Sequence, residues 1–299
     1  MILLFFICPA NPVHAESLAV SLLLSDSTPP YQQLSAAFNK ALAASNAQVT
    51  ITEFQAEGNF KPGSDAKTDL IVAVGMKAAE LALAKFDGPV LCVMIPKASY
   101  EILLEKRALL YAHQQTSAIF LDQPWGRQLS FIQAALPRHS TVGVLYSPYT
   151  PIALPRLPRG LSLNAKSIRS AETLFDALEN ILSNSDVLLV VPDSEIYSAN
   201  NVRNILLTSY RHKVPLIGIS QAYVNAGALG AIFSTPEQLA AQAAEMAVSF
   251  ARNRQLPAPQ PPASFSIALN QQVARSLGIT LDTPEAIREK MNQASEKAR

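Results

Sequence analysis

Short apolar runs alternate with segments of helical periodicity along most of the chain. In the helical segments, such as Leu34–Leu42 and Leu239–Phe250, apolar residues recur every three or four positions. Several of the strand candidates are continuous apolar runs, which is typical of strands that are covered on both faces. The pattern therefore predicts parallel sheets with helices on either side. The strand candidates are 18–24, 48–54, 69–74, 90–95, 117–121, 141–146, 161–168, 186–191, 214–219 and 230–233.

The alternation of strands and helices occurs twice, and 299 residues are enough for two modest domains. We therefore predict an α/β protein with two lobes, each a doubly wound parallel sheet, joined by a hinge. A late strand candidate, Ser264–Leu269, is expected to return to the hinge region. The predicted boundaries are 16–121 for the N-terminal lobe, 122–262 for the C-terminal lobe, 121–125 and 221–230 for the crossings, and 263–299 for the returning strand and a helical tail.

One strand candidate ends abruptly in polar residues. The run Val187–Val191 is followed by a proline and then by Asp193 and Ser194. In parallel α/β sheets, ligands bind beyond the carboxyl ends of the strands, so we expect Asp193 to face a cleft between the lobes. The alternative is that this segment only turns the chain and caps the next helix. Other polar or small residues at predicted strand ends are Ser25, Gly75, Tyr146, Ser147, Ser220 and Gln221.

Composition and charge remove several classes of function. Hydrophobic residues make up 49% of the chain, and 24 Lys and Arg stand against 23 Asp and Glu with no long block of either sign. This balance gives no electrostatic footprint for nucleic acid or an anionic membrane. The four histidines are scattered and no Cys-x-x-Cys occurs, so no metal site is predicted. Phosphate loops and nucleophile elbows are also missing; we predict no catalytic residues and no cofactor, and Cys92 is expected to be buried.

The first fifteen residues have the pattern of a signal peptide. Met1–Ile7 is apolar but too short for a bilayer, which takes about 20 apolar residues. Val13 and Ala15 fit the small-residue positions before a cleavage site, although no Lys or Arg precedes the apolar run. We expect cleavage after Ala15 and a periplasmic mature protein. The alternative, an apolar first strand, is disfavoured by Pro9 and Pro12.

A set of short phrases, in order and at characteristic spacing, carries a family resemblance. They are Val72–Ala79, Val142–Pro148, Leu188–Ser194, Val214–Gly218, Asn225–Gly230 and Leu269–Gly278. The chain resembles the solute-binding proteins of ABC transporters with the type I periplasmic fold, in the tryptophan/tyrosine-type branch, over nearly all of its mature length. The resemblance implies two lobes, a hinge of crossing strands, and a small molecule that is trapped when the cleft closes. It also implies an ABC permease as partner, and we expect a monomer that reaches the membrane only through that partner.

The resemblance suggests which residues contact the ligand. Asp193 could pair with a ligand ammonium, because a buried charge needs a partner, and Gly75 would let the backbone come close. Trp125 could also line a pocket, with core packing as the alternative. The expected contacts are Ser25, Asp26, Tyr31, Gly75 and Met76 from the first lobe, and Tyr146, Ser147, Asp193, Ser194, Ser220, Gln221 and Tyr223 from the second.

The chain departs from the family pattern in several places. Met76 stands where the family usually has Thr, and Ile95–Ala98 stands where it often has a Thr-Asp-Pro turn, which weakens the expectation of an amino-acid ligand. The Gly- and Pro-rich segments 55–68 and 147–160 cannot form regular helices. The leading hypothesis is an exported solute-binding protein for a small organic, amino-acid-like ligand. The alternative is an envelope sensor or accessory protein that has the fold but not the transport role.

Overall fold

The computed structural model describes residues 17–58, 60, 67–108, 115–150, 155, 157–168 and 173–297. Its first part contains β1 (Leu18–Leu24), α1 (Pro29–Ala43), β2 (Val49–Gln55), β3 (Leu70–Val74), α2 (Met76–Lys85), β4 (Val90–Ile95), α3 (Lys97–Ala108) and β5 (Thr116–Phe120). Next come α4 (Trp125–Ala135), β6 (Thr141–Tyr146), β7 (Ser162–Ser167), α5 (Leu174–Ser183), β8 (Val187–Leu189), α6 (Ala199–Arg211), β9 (Leu216–Gly218), α7 (Gln221–Ala226) and β10 (Gly230–Phe233). The described part ends with α8 (Pro236–Asn253), β11 (Ser266–Leu269), α9 (Gln271–Leu277) and α10 (Pro284–Lys297).

The first sheet has the strand order β2-β1-β3-β4-β5, and all of its pairs are parallel. All five residues of β3 are buried, and β1 and β4 are buried along most of their length. Strand β2 lies at the edge and is only half-buried. The continuous apolar runs thus form strands with helices on both faces, as predicted. Cys92 is buried in β4, which confirms that expectation.

The second sheet has the order β11-β10-β9-β8-β6-β7. Its pairs are parallel except for the last strand, which runs antiparallel to β10 with Gly230 opposite Leu269. The predicted fold class, two α/β lobes built on parallel sheets, is confirmed. The late strand candidate also forms a strand, as expected, but it joins the second sheet at its edge.

Helix α8 belongs to the first lobe, although it follows most of the second lobe in sequence. Its apolar face packs against α1 and the first sheet, where Leu239 and Phe250 share a core with Leu34 and Phe38. The predicted C-terminal lobe, 122–262, is therefore wrong for this helix. The amphipathic pattern identifies the buried face of a helix but not the sheet that covers it. A capping box of Thr235 and Gln238 starts the helix, as its sequence indicates.

The chain crosses between the lobes at residues 121–124, 234–235 and 254–265. On the return, the backbone of Gln260 accepts a hydrogen bond from the N–H of Phe120 (3.1 Å) and donates one to Ala118 (2.9 Å). The first of these segments lies between β5 and α4 and overlaps the proposed crossing at 121–125. The predicted crossing at 221–230 is wrong, because these residues form α7 and the start of β10 within the second lobe.

Some of the predictions fall outside the described residues. The proposed signal peptide, 1–15, lies wholly outside them, and the Gly- and Pro-rich segments lie partly outside. The residues that are described there, 56–58, 60, 67–68, 147–150, 155 and 157–160, contain no helix. In the described parts of the chain, no helix is both long and apolar enough to cross a membrane.

Candidate ligand-binding site

A cavity of about 860 Å³ lies between the lobes. This volume is within the range of pockets that enclose small organic ligands. The first lobe contributes residues of α3 and the end of β5, the second lobe contributes α4 and the ends of β6 and β8, and the crossings close the remaining side. The lining residues are Lys97, Ala98, Glu101, Phe120, Asp122, Gln123, Pro124, Trp125, Gln128, Tyr146, Thr150, Val191, Pro192 and Pro261.

An irregular strand end brings α3 to the cavity. The pairing of β4 with β5 shifts register between Val93 and Ile95, and Met94 has a φ of 59°, in the left-handed region. A bulge of this kind bends the strand and redirects the residues after it. A left-handed conformation is also costly for a residue with a side chain, and such strain is concentrated at functional sites. The bulge directly precedes Pro96 and Lys97, where the wall of the cavity begins.

Asp122 connects the crossing to the start of α3. Its carboxylate Oδ2 accepts a hydrogen bond from the backbone N–H of Lys97 at 2.7 Å. Burial raises the pKa of Asp122 above its ordinary value, although this hydrogen bond opposes the shift. The Lys97 ammonium contacts the Glu101 carboxylate one turn along the helix, and both side chains are about half exposed. The ionisable groups of the cavity therefore lie together at its first-lobe side.

A hydrogen-bond network joins the crossings to one another. The Gln123 amide donates to the Ser234 hydroxyl at 2.9 Å and accepts from the Arg127 guanidinium at 2.6 Å. Arg127 also donates to the carbonyl of Pro262 at 2.9 Å, and Gln128 donates to the carbonyl of Gln123 at 2.7 Å. Two glutamines and one arginine thus hold three separate stretches of chain at the base of the cavity.

The first-lobe residues predicted from the sequence form a cluster at the ends of β1 and β3. The buried Ser25 hydroxyl donates to the carbonyl of Val74 (2.9 Å) and accepts from the N–H of Ala78 (3.1 Å). Gly75 has a φ of 86°, and a Cβ there would lie 2.5 Å from the Ser25 hydroxyl and 2.7 Å from that of Tyr31. Glycine is required at this position by conformation and by space.

Asp26, Tyr31 and Met76, the other predicted residues of the first lobe, lie in different surroundings. The Asp26 carboxylate accepts the N–H of Thr28 at 2.8 Å, just before α1. Burial, and then the charge of Asp26, raise the pKa of Tyr31. Met76 starts α2 and packs on the core of the first lobe. The structure brings Ser25, Tyr31 and Gly75 together, but places them outside the described lining of the interlobe cavity.

Asp193 is buried and its carboxylate is occupied by backbone donors. One oxygen accepts the N–H of Ser147 at 2.6 Å, and the other accepts those of Glu195 and Ile196 at 3.0 and 3.1 Å. Burial alone would raise the pKa of Asp193, but these donors and the hydroxyl groups of Thr150 and Ser147 hold it below its ordinary value. The contacts fit the alternative of a chain turn. The residue at the N-cap of α6 is Ser198, so Asp193 does not cap that helix.

The other predicted residues of the second lobe differ in exposure. Ser194 is exposed, Ser220 precedes α7, and Gln221 is exposed and donates to the Asn225 amide at 2.9 Å. Tyr223 packs over Gly218, and burial raises its pKa to about 12. Within the described lining, Tyr146 is the member of the predicted set that reaches the cavity.

Most residues of the cavity wall are outside the set expected from the sequence, but two sequence features do point to the wall. Trp125, a possible pocket residue, lines the cavity. The segment Ile95–Ala98 departs from the family pattern, and its Lys97 and Ala98 also lie in the wall. Asp122 has no such signal, since it gains its position only through the N–H of Lys97, 25 residues earlier in the chain.

A family model described as ABC transporter substrate binding protein matches residues 32–293. The chain therefore belongs to the ABC transporter substrate-binding protein family, which confirms the resemblance seen in the sequence. Among curated proteins, no sequence matches the chain. In the described part of the chain, no three metal-binding side chains lie together.

Solved structures share the fold at low sequence identity. A ligand-free, open substrate-binding protein with adhesive properties from Clostridium difficile has a TM-score of 0.65 and 18% identity, over 90% of this chain and 97% of that one. An ABC domain from Streptococcus pneumonia in complex with L-Trp has a TM-score of 0.59 and 20% identity, over 91% and 98%. A conserved domain protein from Vibrio cholerae has a TM-score of 0.61 and 17% identity, over 92% and 98%.

Proposed function

We propose that this chain is an exported solute-binding protein that captures a small organic ligand in the interlobe cavity and delivers it to an ABC permease. The observation that carries the proposal is the composition of the cavity wall. Both lobes and the crossings contribute to it, so any change in the angle between the lobes changes its size. The family membership supports the same role. This role requires only that the ligand is bound and released, without a chemical step.

Closure follows from the way the cavity is built. A ligand that contacts α3 on one side and Tyr146 on the other gains more contacts when the lobes approach, so it stabilises the closed form. The crossings absorb the change in backbone angles, as hinges do in two-lobed binding proteins. The hydrogen bonds of Gln123 to Arg127 and Ser234 keep the crossings together during the motion.

The strand-end cluster of the first lobe is part of the proposal for the closed form. Ser25, Tyr31 and Gly75 lie at the carboxyl ends of β1 and β3, and ligands of parallel α/β sheets bind beyond such ends. Asp26 and Met76 flank this cluster. We propose that the mature protein is periplasmic and begins at Glu16, and that it presents both this cluster and the interlobe cavity to the ligand.

A thermal-shift screen with amino acids, nucleosides, small acids and amines tests the proposal. A ligand that binds only the folded protein raises its melting temperature. At a free ligand concentration of 100 times Kd, the added free energy of unfolding is about 2.7 kcal/mol. We expect at least one hit, and Trp125→Ala and Tyr146→Ala should abolish it. Phe175→Ala serves as the control, because Phe175 is 62% exposed and outside the described cavity lining. A hit that persists in both cavity variants, or no hit in a broad library, contradicts the proposal.

Delivery needs a separate measurement. In a strain that lacks the gene, uptake of the labelled hit should fall and should return with the wild-type gene but not with the Trp125→Ala variant. Uptake that does not depend on the gene, for a ligand that binds tightly, would instead favour the sensor or accessory role.

A further inference from the structure

The charged groups of the cavity do not balance. Its described lining contains two carboxylates, Glu101 and Asp122, and one ammonium, that of Lys97. Glu101 contacts that ammonium. Asp122 is partly buried and accepts backbone N–H groups, including that of Lys97, but among the described residues it has no cation as its hydrogen-bond partner. The lining therefore carries a net negative charge located at Asp122.

The Lys97 ammonium and the two glutamine amides of the lining already have partners. The amide of Gln123 donates to Ser234, and the amide of Gln128 donates to the carbonyl of Gln123. The ammonium of Lys97 is paired with Glu101. A ligand carboxylate that pairs with a cation of this lining would have to separate Lys97 from Glu101, and a buried charge without a partner of opposite sign is strongly unfavourable.

The rest of the wall is apolar and aromatic. Phe120, Trp125 and Tyr146 face the same cavity, with Val191 and three prolines between them. Aromatic rings attract organic cations through their negative faces, and they also provide apolar area for the body of a ligand. The wall thus suits a molecule that combines a cationic group with an aromatic or alicyclic body.

Building on the proposed function, we infer that the cavity selects a hydrophobic amine: an organic ammonium that pairs with Asp122, carried by an aromatic or alicyclic body that packs on Trp125 and Tyr146, with no carboxylate. An amino acid of the same body differs only by its carboxylate, and the one cation of the described lining, Lys97, is already paired with Glu101. Selection against the zwitterion follows from that difference.

A competing arrangement involves Lys97. The Lys97–Glu101 pair is about half exposed, and exposed ion pairs contribute little free energy. The ammonium could therefore release Glu101 and bind a ligand carboxylate, in which case the cavity would accept a zwitterionic amino acid. The two arrangements predict opposite effects of removing Lys97.

Matched ligands separate them. We would measure the affinity of the full mature protein, by calorimetry at pH 7, for tryptamine, tryptophan and indole-3-propionate, and for phenethylamine, phenylalanine and 3-phenylpropionate. The inference predicts that the amine of at least one series binds ten times more tightly, or better, than its amino acid and its acid. Lys97→Met should leave or improve amine binding. Tryptophan or phenylalanine binding as tightly as its amine, with loss of that binding in Lys97→Met, overturns the inference.

Asp122→Asn tests the proposed partner. The amide oxygen can still accept the N–H of Lys97, so the start of α3 keeps its cap. Amine affinity should fall at least tenfold, whereas the affinity for the neutral analogue tryptophol should change less than twofold. Asp186→Asn is the control, since Asp186 is exposed and accepts the N–H groups of Ser140 and Thr141 away from the cavity. Equal amine affinity in the Asp122 variant and wild type overturns the assignment.

The outcomes also separate this inference from the proposed function. A hit in the wider screen that is not an amine, and that needs Trp125 and Tyr146, overturns the inference and leaves the proposed function intact. The absence of any hit contradicts both.

Discussion

The replacement of Asp193 by alanine is expected to destabilise the protein strongly, although Asp193 itself is outside the described lining of the cavity. The carboxylate joins the end of β6 to the turn after β8 through the N–H groups of Ser147, Glu195 and Ile196. The bonds to Ser147 and Ile196 are buried. A buried group that loses its partner costs about 1–3 kcal/mol, so two of them give an expected loss of about 2–6 kcal/mol in the free energy of unfolding.

Urea unfolding at pH 7 measures this loss. The chain has one tryptophan, Trp125, at the start of α4 in the second lobe, so its fluorescence reports the transition of the lobe that contains Asp193. The midpoint should fall while the slope of free energy against urea stays constant. Asp193→Asn should lose less, because an amide oxygen can still accept the N–H groups of the turn.

The matched control is Asp186→Ala. Asp186 also accepts two backbone N–H groups, those of Ser140 and Thr141, but it is exposed. Water can replace it as acceptor, so the expected loss is about 1 kcal/mol. Equal losses in the two variants, or a stable Asp193→Ala protein, would refute the argument that burial of these donors sets the magnitude. A tenfold loss of ligand affinity at unchanged stability would instead favour a ligand contact.

The pH dependence has a definite sign. The folded pKa of Asp193 lies below its ordinary value, so its carboxylate contributes stability that is fully present above the unfolded pKa of about 3.9 and is lost as the pH falls through the folded pKa. The difference in stability between wild type and Asp193→Asn should be constant between pH 6 and pH 7 and should shrink below about pH 4. A difference that grows on acidification contradicts this account.

Three further predictions concern other parts of the chain. Gly75→Ala should lower the free energy of unfolding by about 2 kcal/mol or more, since the added Cβ meets the Ser25 hydroxyl at a positive φ. Gly126→Ala, in open space within α4, should instead raise it by about 0.5–1 kcal/mol in the same urea unfolding measurement. Thr235→Ala removes the capping box of α8 and should lower the free energy of unfolding by about 1 kcal/mol. Mass spectrometry of the secreted mature chain should find Glu16 at its N-terminus; a chain that keeps residues 1–15 contradicts cleavage.

The fold could be predicted from the sequence because its main signal is local. A continuous apolar run such as 70–74 needs cover on both faces, which a parallel sheet between helices provides. The lobe of α8 could not be predicted, because its periodicity is compatible with either sheet. The prediction of a crossing at 221–230 is wrong for a related reason. This segment forms α7 and the first residue of β10, but its Gly- and Ala-rich composition is also typical of a connection.

The site could be predicted only to the level of strand ends. The rule for parallel sheets selects Asp193 and Ser25 correctly as strand-end residues, but it cannot tell a side chain that faces a ligand from one that binds nearby backbone groups. In both cases the structure shows hydrogen bonds to nearby backbone groups. The cavity wall depends on contacts between distant segments, such as Asp122 with Lys97, which no local pattern encodes.

The position of α8 also sets an order for the folding of the chain. Leu34 and Phe38 are covered by a helix that ends at Asn253, about 130 residues after the last strand of the first sheet. At about 5–20 residues per second, the ribosome needs on the order of 10 s to synthesise that interval. During this time the first lobe has the five strands of its sheet, but the part of its core that α8 covers is exposed, so we expect the first lobe to need α8 for stable folding. The lobe that is synthesised first is therefore completed only after most of the second lobe has been made.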